Sequence, residues 1–267
     1  MSHARTPART QLSLIIPAWN EAAGIACAIG EALEALTTLD YEFEILVVDD
    51  GSTDRTAREV QQIATLRPGV RLIRHERNRG YGAALATGFQ AAQYPLVAFT
   101  DADNQFHLED LERLVPLTRR YPIVAGRRAD RQDSRRRRLM SRGYNTIVRF
   151  LLNTRVRDCD CALKVFRREV LAHLLPRSRG FFVNAEMLCR ANRLGVAITE
   201  VDVRHRPRIH GDSKVSLWDV PRTLATLLPF WCRQVLLTPR PAPLRLMPAR
   251  EVPVKSPAPL AISVRVG

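Results

Sequence analysis

At 267 residues the chain is long enough for one sizeable α/β domain, or one domain with appendages. Hydrophobic residues make up 46% and charged residues 25%, a globular composition that excludes a fibrous or wholly disordered chain. Lys and Arg number 41 against 27 Asp and Glu, a net charge of +14, which implies an anionic partner: nucleic acid, a phosphorylated substrate or an acidic membrane surface.

Residues 1–10 form a polar lead, expected to be disordered and lacking the apolar core of a signal peptide. No run reaches ~18 apolar residues, so no transmembrane helix is expected and the chain is placed in the cytoplasm. Cys159-x-Cys161 lacks zinc-knuckle spacing and a second pair, and Cys27, Cys189 and Cys232 are scattered, so reduced thiols are expected.

Residues 12–16 are an apolar run ended by Pro17 and read as a first buried strand. In the turn Pro17-Ala18-Trp19-Asn20-Glu21, Asn20 is expected to cap a helix that starts near Ala22. Residues 43–48 read as a second strand running into Asp49-Asp50-Gly51-Ser52-Thr53-Asp54. There Gly51 permits a sharp turn and Ser52 or Thr53 caps the next helix. Residues 70–73 read as a third strand, and 80–92 as a helix with Gly80, Ala84 and Gly88 on one side. Residues 96–100 read as a fourth strand, followed by a helix over 108–120 and a strand over 123–126. This alternation means βαβ units and a mostly parallel sheet. Right-handed crossovers then place Asn20/Glu21, Asp49/Asp50 and Asp101/Asp103 on one sheet edge.

The fourth strand ends in Asp101-Ala102-Asp103-Asn104-Gln105. Two carboxylates two residues apart and an amide are hard oxygen ligands, suited to Mg²⁺ or Mn²⁺ shared with a substrate phosphate. Three acidic strand ends would repel nucleic-acid phosphates, which argues against a nucleic-acid partner. Gly80-Tyr81-Gly82 imitates a dinucleotide fingerprint, but it lacks the third glycine and follows the third strand rather than the first.

Residues 127–138 contain seven arginines. Residues 139–152 read as a basic amphipathic helix, packed on the sheet or lying on an anionic membrane. A polar loop from Arg157 runs into a strand. A helix over 184–194 carries Glu186 inward, and 196–203 is a strand. Residues 205–214 form a basic loop, read as a lid whose Arg208 and Lys214 close on phosphates. A helix from about Ser216, kinked at Pro229, covers the domain or lies at a membrane interface. Residues 238–267 hold seven of the 17 prolines and read as a disordered tail.

Pro17-Ala18-Trp19-Asn20-Glu21, Val47-Val48-Asp49-Asp50-Gly51-Ser52-Thr53-Asp54, Asn78-Arg79-Gly80, Asp101-Ala102-Asp103-Asn104-Gln105 and Gly126-Arg127-Arg128 resemble, in order, the motifs of family 2 glycosyltransferases with the GT-A fold. Arg137-Arg138-Leu139-Met140-Ser141-Arg142, Asp158-Cys159-Asp160-Cys161-Ala162-Leu163-Lys164-Val165-Phe166 and the 205–214 loop are similar to the dolichyl- or polyprenyl-phosphate sugar synthase branch. The resemblance implies a Rossmann-like, mostly parallel sheet flanked by helices over 11–237. Residues 11–126 would form a nucleotide-sugar half and 127–237 an acceptor half, with a C-terminal amphipathic helix and a disordered tail beyond. It implies that Pro17, Trp19, Glu21, Val48, Asp50, Asp101, Ala102, Asp103, Arg128, Arg208 and Lys214 bind the nucleotide-sugar donor. Asp101, Asp103 and Gln105 would hold the metal, and Arg138 and Arg142 would meet the acceptor phosphate.

The implied reaction is metal-dependent, inverting transfer of a sugar from a GDP- or UDP-sugar to a polyprenyl phosphate. The protein would be held peripherally at the cytoplasmic face of a membrane. Asp103, Arg128 and Lys214 would serve the leaving diphosphate. A lipid phosphate needs no general base, whereas a sugar hydroxyl acceptor would draw on Asp158, Asp160 or Glu186.

Overall fold

In the computed structural model, which describes residues 9–129, 135–207, 219–244 and 246 (the backbone alone within 135–142 and 219–224), seven strands form one sheet ordered β3-β2-β1-β4-β6-β5-β7. The strands are β1 (Gln11–Ala18), β2 (Glu42–Asp49), β3 (Val70–Arg74), β4 (Leu96–Phe99), β5 (Ile123–Arg128), β6 (Lys164–Arg167) and β7 (Ile198–Val203). β1, β2, β3 and β4 are mutually parallel. β6 alone runs antiparallel to its neighbours, between β4 and β5, while β5 and β7 pair in parallel. The near-continuous apolar runs of β1, β2 and β4 follow from burial of both faces.

The helices are α1 (Ile25–Thr38), α2 (Thr56–Leu66), α3 (Tyr81–Ala91), α4 (Leu111–Leu114), α5 (Arg135–Leu152), α6 (Arg168–Leu174), α7 (Val183–Arg193) and α8 (Asp219–Trp231). Two 3₁₀ turns, Leu108–Asp110 and Val115–Arg119, flank α4, so the single helix read over 108–120 is broken into three pieces. Pro116 at the start of the second turn lacks the N–H that would continue the α-helix. α8 ends in a π-helix, Cys232–Leu237, just beyond Pro229.

The small face of α3 serves close packing. A Cβ on Gly88 would stand 2.3 Å from Ile15 Cγ2 of β1. Gly51 takes φ 69° where a side chain would meet the Arg77 backbone, so only glycine makes this turn.

Neither predicted helix cap forms as read from the sequence. Asn20 adopts φ 52° and its side-chain oxygen accepts from Thr53 N, so it joins the first two strand-end loops instead of capping α1. Ser52 Oγ accepts from Asn20 N, and Asp54 Oδ1 takes the N–H of Thr56 at the start of α2.

The packed chain also runs beyond Leu237. Leu244 N donates to Leu194 O, Arg240 reaches Asn192 O, and Leu244 and Leu246 touch the core. Residues 1–8 and 247–267, most of the expected lead and tail, lie outside the described residues.

Candidate active site

The C-terminal ends of β1, β2 and β4 open on one edge of the sheet, as the crossovers required. Trp19 follows β1 and is 41% exposed, while Pro17 is buried and Glu21 half-buried beside it. Asp101 and Asp103 follow β4, both half-exposed around a buried Ala102. Asn104 holds φ 57°, a conformation asparagine tolerates, and so turns the chain sharply after Asp103. Asp103 Oδ1 accepts from Gln105 N at 3.2 Å, and Asp101 Oδ1 accepts from the Tyr81 hydroxyl at 2.9 Å.

Among the described residues no three His, Cys, Asp or Glu side chains form a metal cage. Two half-exposed carboxylates fit a Mg²⁺ or Mn²⁺ ion that completes its shell with water and substrate oxygens. Gln105 is less suited to the role implied for it. Its Nε2 donates to Arg206 O and its backbone O accepts from Arg206 N, binding the turn to the strand end after β7. Arg206 also donates to Asn104 O and to Glu31.

Val48 and Asp50 stand differently from their expected contact with a base. Val48 is fully buried in the core and offers no surface. Asp50 is buried and its carboxylate accepts from Arg79 N and Gly80 N, with His75 Nδ1 at 2.6 Å. It anchors the 75–80 loop from beneath.

That loop carries the glycines of the imitation fingerprint, and their use is now plain. A Cβ on Gly82 would stand 2.0 Å from Ser178 O, and one on Gly80 2.5 Å from Arg179 O. Gly82 N donates to Arg179 O at 2.7 Å. The glycines admit a strand of backbone from the second half of the chain, not a phosphate.

Glu186 secures that same backbone. It is buried, accepts from Arg177 N and Ser178 N, and pairs with Arg190 at 2.7 Å. It is a loop anchor in this structure, with no open face for an acceptor hydroxyl. Asp158 is likewise engaged: Arg128 grips both its oxygens at 2.7 Å. Burial works against the Arg128 charge, but the Asp158 hydrogen bonds and charge outweigh it and raise the guanidinium pKa. Asp160 remains half-exposed, and its charge reaches Tyr81 together with those of Asp101 and Asp103. Burial first, then Asp101, raises the Tyr81 pKa and keeps its hydroxyl a donor.

Two residues that brace the candidate site are not singled out by the sequence. Tyr81 lies inside the imitation fingerprint, although an aromatic hydroxyl in the first turn of a helix beside an acidic edge is a usable signal. Lys164, fully buried, donates to Cys159 O at 3.0 Å, Cys161 O and Asn184 Oδ1, with its ammonium 5.4 Å from the centre of the Phe99 ring. It clamps the Asp158–Cys161 turn from below. Burial pushes the Cys159 and Cys161 thiols up to about 12, so both stay protonated.

Of the remaining expected site residues, the side chains of Arg138 and Arg142 and the whole of Arg208 and Lys214 lie outside the described residues.

The glycosyl transferase family 2 model matches residues 13–175. An undecaprenyl-phosphate 4-deoxy-4-formamido-L-arabinose transferase of Pseudomonas aeruginosa (strain LESB58) is 36% identical over 209 residues, covering 77% of this chain and 60% of that protein. One from Photorhabdus laumondii is 32% identical over 222 residues, covering 82% and 67%. The chain thus spans about three-fifths of the length of the Pseudomonas relative.

Among solved structures, glucosyl-3-phosphoglycerate synthase from Mycobacterium tuberculosis with Mn²⁺, UDP-glucose and phosphoglyceric acid aligns at TM-score 0.64 and 26% identity. The alignment covers 89% of this chain and 88% of that one. Its complex with Mg²⁺ and UDP aligns at 0.61 and 25%, covering 82% and 79%. The matched segment runs from within β1 to the end of α6 and includes Tyr81 and the Asp101–Asp103 turn. By its sheet, its acidic strand ends and this match, the chain belongs to glycosyl transferase family 2 and carries the expected GT-A architecture.

Proposed function

We propose that this glycosyltransferase moves a sugar from a nucleotide-sugar donor to a polyprenyl phosphate at a membrane face, with inversion at the anomeric carbon. The observation that carries the reading is the pair Asp101 and Asp103, half-exposed at the end of β4 and braced by Tyr81. A Mg²⁺ or Mn²⁺ ion held by these two carboxylates would offset the charge that builds on the departing diphosphate. The Mn²⁺ and Mg²⁺ complexes of the mycobacterial synthase support that donor set, and the undecaprenyl-phosphate relatives support the acceptor.

The chain's own groups divide the work. Trp19 presents an exposed ring to the nucleobase, flanked by Pro17 and Glu21. Asp50 acts through the 75–80 loop. Asp158 grips Nε and Nη2 of Arg128, which leaves Nη1 as the nitrogen for a phosphate oxygen. An acceptor phosphate with a second pKa of about 6 is already a nucleophile at neutral pH. Its oxygen forms the new bond to the anomeric carbon from the face opposite the diphosphate. The old C–O bond breaks, and its electrons leave with the nucleotide. No proton transfer is required, so the engaged state of Asp158 and Glu186 is consistent with the chemistry.

A second reading, transfer to a hydroxyl, is favoured by one observation: Asp160 is half-exposed and its charge reaches Tyr81, beside Asp101.

The test is a turnover screen of UDP- and GDP-sugars with Mn²⁺ or Mg²⁺, with and without polyprenyl phosphate, beside Asp103→Ala. Metal-dependent transfer to the lipid, lost in the variant, is the expected result. Donor hydrolysis without lipid transfer would move the acceptor to a hydroxyl. No binding of any nucleotide-sugar would sink both readings.

A further inference from the structure

The strand exit after β7 is stitched to the chain that leaves the acidic turn. Arg204 N and Nε donate to the two oxygens of Asp110, at 2.6 and 2.9 Å. Phe106 and His205 form an isolated antiparallel bridge, their ring centroids 5.4 Å apart. Arg206 N donates to Gln105 O at 2.9 Å, and Gln105 Nε2 donates back to Arg206 O at 3.3 Å. None of these contacts uses the Arg206 side chain.

That side chain makes a separate connection. Its Nε donates to Asn104 O and its Nη2 to Glu31 Oε2 on α1, partners 102 and 175 positions away in sequence. The Cys27 thiol donates to Glu31 Oε1 at 3.9 Å and accepts from Asn104 Nδ2 at 3.7 Å. Asn104, Arg206, Glu31 and Cys27 thus close a ring that ties the acidic turn to α1 and to the end of β7. Sulfur is a weak partner in both of its roles, so the ring depends on the two hydrogen bonds from the guanidinium.

What the ring holds is the peptide unit one residue past Asp103. Asn104 is buried at φ 57°, a conformation that asparagine tolerates but does not enforce. Its Oδ1 is buried without a hydrogen-bond partner, so its own side chain supports the turn only through Cys27. Such a backbone conformation persists where its surroundings over-determine it. Asp103 leans on the same turn, its Oδ1 accepting from Gln105 N at 3.2 Å.

We propose that Arg206 is a positioning residue for the candidate metal carboxylates: by fixing Asn104 O against Glu31, it holds Asp103 in the orientation that meets a divalent cation. The inference rests on the metal-site part of the function proposed above. The sign of its effect separates it from plain electrostatics. A cation beside the site repels Mn²⁺, so loss of the Arg206 charge alone would tighten binding. Loss of a contact that orients a ligand weakens it, typically by about 10- to 100-fold.

The experiment titrates Mn²⁺ alone against the full chain and follows loss of the free-ion electron paramagnetic resonance signal, so no turnover is needed. The parent binds Mn²⁺ and D103A does not. R206Q weakens binding about tenfold, and R206K, which keeps the charge but not the planar fork, about threefold to tenfold. Adding E31Q to R206Q weakens it by less than a further twofold or so, because the ring is already open. R204Q removes the same charge from the same strand exit, but Arg204 pairs with Glu109 and Asp110 rather than with the turn. It changes affinity by no more than about twofold, since an exposed charge is screened.

Unchanged or tighter Mn²⁺ binding in R206Q would reduce Arg206 to a nearby charge and overturn the proposal. Equal weakening in R204Q would assign the effect to the whole strand exit, with the same consequence. If R206Q melts below the parent, R206K carries the comparison. A parent that binds no Mn²⁺, or a D103A that binds it as well, would sink the metal site and the proposal together. Transfer to polyprenyl phosphate is assayed in parallel. Its absence, with the R206Q binding defect present, would sink the acceptor reading and leave Arg206 in its role. Metal-dependent transfer with Mn²⁺ binding unchanged in R206Q would do the reverse.

Discussion

The Tyr81 hydroxyl donates to Asp101 Oδ1 at 2.9 Å, tying the first turn of α3 to the end of β4. The ring is held in turn by Phe181, 5.5 Å away between centroids, from the loop after α6. One side chain thus joins both halves of the chain to the candidate metal carboxylates. Tyr81→Phe keeps the ring contact and removes only the donor. A hydrogen bond to an ionised carboxylate contributes about 1.5–3 kcal/mol. We expect kcat/KM to fall roughly tenfold to a hundredfold, with half-maximal activity moved to higher Mn²⁺ and little change in melting temperature. Steady-state kinetics over a metal titration decide it. An unchanged metal requirement would remove Tyr81 from the site.

Asp158 and Asp160 separate the two acceptor readings. Asp158 and Arg128 form a nearly buried, two-pronged pair, so Asp158→Asn leaves a guanidinium short of its counter-charge. Breaking such a pair costs about 3 kcal/mol of stability, and activity falls as Arg128 loses its orientation. Asp160→Asn removes a charge from a half-exposed side chain. With a phosphate acceptor it leaves the rate within about threefold. With a hydroxyl acceptor it lowers kcat by roughly 10²- to 10⁴-fold, the range of a lost general base. Comparing the two variants on polyprenyl phosphate and on free sugars reads this directly.

The strands and the acidic edge were legible because β1, β2 and β4 are buried on both faces and announce themselves as apolar runs ending in Asp or in a Pro-punctuated turn. Register and crossover handedness then leave little freedom. What stayed hidden was contact across long sequence separation. Nothing in the Gly80-Tyr81-Gly82 run shows that residues 178–179 lie against it. Nothing in Glu186 or Asp158 shows that each is already bound, one to backbone amides and the other to Arg128. A carboxylate in a motif looks the same whether it faces substrate or anchors a loop. The helix caps failed for a related reason: Asn20 found a better partner in Thr53, a loop away.

Glu186 tests that distinction. As a general base, Glu186→Gln would abolish turnover while preserving the fold. As a loop anchor, its amide oxygen still accepts from one of Arg177 N and Ser178 N, so kcat stays within about threefold and KM for the donor rises. Glu186→Ala removes both acceptors and leaves Arg190 unpaired beside Leu175 O. It lowers stability by about 3 kcal/mol. A Gln variant without measurable kcat, at a melting temperature equal to the parent, would reinstate Glu186 as a catalytic group.

Lys164 offers a prediction that joins stability to pH. Its ammonium is enclosed by two carbonyls, the Asn184 amide oxygen and the Phe99 ring, and burial lowers its pKa below the usual 10.5. In the window between that lowered value and 10.5 the unfolded chain binds a proton that the folded chain does not. Stability from this group therefore rises with pH across that window, and is lower below it. Lys164→Met removes the titration, so a plot of unfolding free energy against pH loses that rise. It also strands the three acceptors, each costing about 1–3 kcal/mol if left dry. The net expectation is a less stable protein near neutral pH, with the Asp158–Cys161 turn loosened and Arg128 less well placed. Lys164→Arg keeps donors in the cavity and recovers part of both the stability and the activity. Chemical denaturation of the three proteins at several alkaline pH values measures this. A methionine variant as stable as the parent at neutral pH, with the same pH slope, would show that the turn stands without the lysine.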